Sequence, residues 1–134
     1  MKKFISLTLF LIFCVVIFLG CAQTSETPSN DLISNQDFDS DLFTNKEIEG
    51  AMKVVIDYFN NEFKGCTLTE LKYIGDDELA SYQKLDDTIV LVSSFDVGVS
   101  PVAGGLDINT TYTKWKWILD KNENGQYYIS GSGY

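Results

Sequence analysis

Five side chains in the C-terminal half could form a reacting or binding centre: Tyr112, Trp115 and Trp117, with the carboxylates Asp96 and Asp107. A recess lined by aromatic rings and few polar groups is the common form of a small-molecule pocket. A carboxylate at its rim would act as general base, with a tyrosine as hydrogen-bond donor. Trp115 and Trp117 stand two residues apart, so on a strand they share one sheet face. That face would either half-enclose a ligand or contact a protein, peptide or small molecule without chemistry. The plain alternative is a packed core with no opening.

Other acid clusters read more simply. Asp37, Asp39 and Asp41 alternate as the first ligands of a calcium loop would. The sharp-turn glycine of that pattern is Leu42 here, and its closing glutamate is Ile48, so solvated tether acids are the better reading. Asp76-Asp77-Glu78 and Asp86-Asp87 could share a proton or a metal ion. Acids of a helix cap and first turn, favoured by the helix dipole, account for them without a ligand. Neither a metal nor any other cofactor is expected.

The missing residue types restrict the chemistry further. The chain has no His and no Arg. Histidine-based nucleophilic catalysis and imidazole-ligated zinc are therefore excluded, as are bidentate clamps on phosphate. A formal net charge of −9 disfavours nucleic acid, which demands clustered cations on one face. A non-enzymatic domain is the expectation.

The N-terminus supplies an address. Lys2 and Lys3 precede sixteen residues, Phe4 to Leu19, that are apolar except for Ser6 and Thr8. A spanning helix takes roughly 20 apolar residues, and the flanks here are those of a secretory signal. The "FLGC" ending at Cys21 resembles a bacterial lipobox, in which the cysteine takes lipid and becomes the new N-terminus. Acyl chains such as palmitate contribute about 0.8 kcal/mol per buried methylene, so an acylated Cys21 would hold firmly to the membrane. The expected location is the extracytoplasmic face of a bacterial cell membrane. In that setting the glycosylation pattern Asn109-Thr110-Thr111 carries no meaning. Removing residues 1–20 takes two of the ten lysines and none of the 19 acids, leaving −11 on 114 residues. Of the three cysteines, Cys14 leaves with the signal and Cys21 takes lipid, so Cys66 is alone and no internal disulfide forms. It reads as a buried, inert thiol.

Residues 21–42 are rich in Ser, Thr, Asn, Gln and Asp and read as a flexible polar tether, leaving one domain over 43–134. "FTNKEI" offers Thr44 and Glu47 as a capping box, with Phe43 and Ile48 as a hydrophobic staple. Ile48, Ala51, Met52, Val55, Phe59 and Phe63 continue as one apolar stripe, which predicts a helix over 45–64 closed by Gly65. Strands are expected at 66–74, 87–97, 111–120 and 126–134, the last two joined by a turn at Asn122–Gly125. In the third strand, strict alternation puts Thr113, Trp115, Trp117 and Leu119 on one face. One long N-terminal helix packed on a mostly antiparallel sheet of about four strands is an α+β roll. Its layout is similar to cystatin-like and nuclear-transport-factor-like rolls.

"FKGCTLTEL" (63–71), "TIVLVSSFDV" (88–97) and "NTTYTKWKWILD" (109–120), with the signal and lipobox, resemble a group of small uncharacterised lipoproteins of clostridia and related Firmicutes. The last strand departs from that pattern, with Tyr127-Tyr128 where a Trp is more usual. The resemblance implies a lipid-anchored domain and brings no catalytic residue.

Overall fold

A computed structural model describes residues 31–33, 36–82, 87–101 and 104–134. The signal segment and Cys21 lie outside the described residues. Helix α1 spans Asn45–Glu62. At its start the Glu47 amide donates to Thr44 Oγ1 at 3.3 Å, and the Thr44 amide donates back to Glu47 Oε2 at 3.0 Å. Such a cap contributes about 1 kcal/mol, because it satisfies donors that the first turn leaves free. Ile48, Ala51, Met52, Val55, Ile56 and Phe59 are buried, so the apolar stripe is the face that packs. Beyond Phe63 the chain turns at Gly65, whose φ is +79°. A Cβ there would stand 2.8 Å from the Ser100 carbonyl oxygen, so only glycine fits the turn.

Four strands follow: β1 (Cys66–Tyr73), β2 (Thr88–Val97), β3 (Thr111–Lys121) and β4 (Tyr127–Gly133), with a one-turn helix α2 (Asp76–Leu79) between β1 and β2. They form one antiparallel sheet in the order β1-β2-β3-β4, with α1 packed on one face. The fold is thus α+β, one helix on a four-stranded antiparallel sheet. Leu71, Ile89, Leu91, Phe95, Trp117 and Leu119 are fully buried large residues of the sheet that face this core. The β3–β4 turn closes with the Gly125 amide on the Asn122 carbonyl at 2.9 Å, and Gly125 takes φ +76°.

Two features depart from the sequence reading. In β3 the register slips opposite Ser94, and Lys114 takes φ +59°. One inserted residue reverses the side-chain alternation beyond it, so Tyr112 shares a face with Trp115 while Thr113 is exposed. The described part of the expected tether, moreover, lies against the domain. Ile33 and Phe38 pack on the core, and Gln36 Nε2 donates to the Leu71 carbonyl of β1 at 3.2 Å.

Candidate functional site

The aromatic residues of β3 meet the C-terminal half of α1. Trp117 is fully buried, its ring edge-on to Tyr58 at 6.0 Å and to Phe63 at 5.6 Å. Its indole Nε1 donates to Ser93 Oγ at 2.9 Å, so the polar end is satisfied inside the core. Trp115 is half-buried against Phe63, Phe95 and Tyr134. Its Nε1 is buried with no hydrogen-bond partner among the described residues. Tyr112 stacks on Phe95 at 5.3 Å, and its hydroxyl oxygen accepts from the Asp107 amide at 3.0 Å.

The structure therefore brings Tyr112, Trp115 and Trp117 together. It does not bring the two acids to them. Asp107 is exposed on the loop before β3 and joins the group only through its backbone. Asp96 lies on the opposite sheet face, exposed, where Thr111 Oγ1 donates to it at 2.6 Å. With Phe95 and Val97 turned inward, alternation leaves Asp96 no other direction.

Two charge centres stand elsewhere. The Asp76 carboxylate accepts from Ser40 Oγ at 2.7 Å, Tyr73 Oη at 2.6 Å, the Asp41 amide at 2.7 Å and the Leu42 amide at 3.3 Å. Burial works against this charge, but the hydrogen bonds from Tyr73, Ser40 and the two amides outweigh it and hold the carboxyl below its ordinary range. Burial, and then the Asp76 carboxylate, push the Tyr73 phenol up. The result ties the segment before α1 to the turn after β1.

The second centre joins Lys121 Nζ at the end of β3 to Glu47 Oε1 at the start of α1, 2.8 Å apart. Lys121 and the capping bonds from Thr44 lower the Glu47 carboxyl to about 2. Lys121 also lies 5.0 Å over the Tyr127 ring. The Tyr127 hydroxyl is buried, and burial pushes its ionisation up against the opposing pull of the nearby Lys121 ammonium. Cys66 opens β1 half-buried against the core rather than fully buried, and burial pushes its thiol up. Among the described residues, no three His, Cys, Asp or Glu side chains converge to hold a metal ion.

Next to the second centre an open groove of about 680 Å³ runs between α1 and the β3–β4 hairpin. Lys46, Glu47 (already paired with Lys121), Gly50 and Val54 form its helix wall, and Gln126, Tyr127 and Tyr128 form the other. Its size is that of a ligand site, and its lining mixes aromatic, aliphatic and a few polar groups. Sequence reasoning missed it. The one available signal was Gly50, a helix-breaking residue inside an otherwise regular helix.

Compared with protein-family models, with curated proteins and with solved structures, the chain matches none. Among the described residues no helix is long and apolar enough to cross a membrane.

Proposed function

We propose that this chain is a non-enzymatic binding domain, held at the extracytoplasmic face of a bacterial membrane by a lipid on Cys21 after loss of residues 1–20. The observation that supports it most is how the carboxylates with shifted ionisation are occupied. Glu47 fastens β3 to α1 and Asp76 fastens the pre-helix segment, each saturated with donors from its own chain. Glu70, the third among the described residues, is paired with Lys72 on the sheet. A general base has to be free to take a substrate proton, and carboxylates already engaged by donors of their own chain are poorly placed for that. The open groove beside α1, by contrast, is a surface fit for contact. The resemblance to clostridial lipoproteins agrees with this reading, and one helix on a four-stranded antiparallel sheet is compatible with a cystatin-like or nuclear-transport-factor-like roll. Such rolls serve binding as readily as catalysis.

A second contact surface is the aromatic edge formed by Tyr112, Trp115 and Tyr134. Tyr134 is 78% exposed beside a Trp115 whose indole N–H has no partner among the described residues. A photo-crosslinking residue placed in living cells at Tyr128, Tyr134 or Asp96 tests the binding reading. A discrete adduct from at least one position is expected; silence at all three rejects it.

A further inference from the structure

Strand β4 is an edge strand, with β3 on one side and no neighbour on the other among the described residues. Natural sheet edges are usually shielded by charge, proline or a covering segment, because their free N–H and C=O groups recruit other strands. The opposite edge, β1, is shielded in this way: Glu70 and Lys72 form an ion pair on it, and Gln36 of the pre-helix segment bonds to its Leu71 carbonyl. From Tyr127 to Gly133 β4 carries no charge and no proline. The groove beside α1 opens along its first residues.

The groove wall adds an independent observation. Gly50 sits inside α1, where glycine is disfavoured relative to alanine. A Cβ at this position would meet nothing within 4 Å, so no packing contact in the fold requires the glycine. What a side chain there would enter is the groove.

Polarity follows from the ends. Lys121 pairs with Tyr127 in the sheet and reaches Glu47, so the start of α1 lies beside the start of β4. From Glu47 to Val54 the helix rises about 10 Å, the length of about three strand residues. An incoming strand antiparallel to β4 would end at the 122–126 turn, next to Lys46. Lys46 has no carboxylate partner among the described residues. A parallel strand would bring a chain amine to that lysine instead, which repulsion disfavours.

Resting on the binding reading above, we infer that this groove takes the extended C-terminus of a partner protein, added antiparallel to β4. The partner's chain-end carboxylate meets Lys46, and its alternate apolar side chains lie against Val54 and Tyr127. Strand addition and carboxylate capture are recurrent modes of peptide recognition. A second copy of this chain is the poorer occupant, since each copy without residues 1–20 carries a formal −11.

The test presents the full chain, in detergent micelles, with pentapeptides immobilised by their N-termini. They carry Val, Leu, Ile or Phe at the last and third-from-last positions, in matched sets ending in a free carboxylate or an amide. A subset with free carboxylates is expected to bind, with affinity at least ~tenfold lower as amides, the size of a charge-assisted hydrogen bond. Gly50→Leu, whose melting temperature should be no lower than the parent's, abolishes binding, and Lys46→Gln weakens it ~tenfold. Equal binding of amides, binding that survives Gly50→Leu, an array without binders, or a dimer dissociated by Gly50→Leu each overturns the inference. The crosslinking test decides the broader reading separately: adducts in cells with an unresponsive array reject this groove and leave a binding domain standing.

Discussion

Trp117 Nε1 donates to Ser93 Oγ across 2.9 Å in the middle of the core, joining adjacent strands β2 and β3 through side chains alone. Ser93→Ala leaves the buried indole N–H unsatisfied and should cost about 1–3 kcal/mol in urea unfolding. Adding Trp117→Phe should cost less on the Ser93→Ala background than alone, because the donor is then already orphaned. Strict additivity would mean that the bond contributes nothing.

The Asp76 carboxylate organises Ser40, Tyr73 and two backbone amides, so Asp76→Ala should free residues 40–43 without opening the sheet. Hydrogen exchange checks this: amides 41 and 42 exchange faster, while those of β2 and β3 keep their protection. The folded-state ionisation lies below the ordinary 3.8, so this stabilisation is complete above that value and is lost as pH falls through the folded one.

Glu47 behaves likewise over a wider window. Its carboxyl falls from 4.5 to about 2 in the fold, so the stability it contributes is present above pH 4.5 and disappears as pH drops toward 2. Its pairing lysine runs the other way: the Glu47 carboxylate raises Lys121, whose contribution is complete below 10.5 and is lost above it. The pair is partly solvated, so Glu47→Gln should cost no more than about 1 kcal/mol at neutral pH. The variant should also show a flatter acid limb in unfolding titrations between pH 4.5 and 2.

Cys66 is half-buried and its thiol is pushed up by that burial. A thiol reagent at neutral pH should therefore label the folded domain slowly and the urea-unfolded chain quickly, since only thiolate reacts. Equal rates would show that the folded environment offers no protection.

Much of this architecture could be read from the chain. Thr44 and Glu47 mark the start of α1, the stripe from Ile48 to Phe59 is its packed face, and Asn124-Gly125 marks the hairpin. These signals are local, and tertiary contacts agree with them. The bulge at Lys114 was not legible, because alternation carries no mark for an inserted residue; it exchanges Thr113 for Tyr112 beside Trp115. The docking of residues 36–43 escaped for another reason. Their polar composition conceals Phe38, and the acceptor for Ser40 lies 36 residues away at Asp76. As for the candidate site, the ring cluster was legible, whereas the groove depends on how α1 lies against β4, and only Gly50 hinted at it.

In the proposed function a lipid on one cysteine holds a binding domain at a membrane surface. The most direct measurement is the intact mass, with N-terminal peptide mapping, of the protein taken from the membrane fraction of its native cells. The expected result is a chain that begins at an acylated Cys21 and lacks residues 1–20. A chain that still carries Met1 or the residues following it, with Cys21 unmodified, would contradict it.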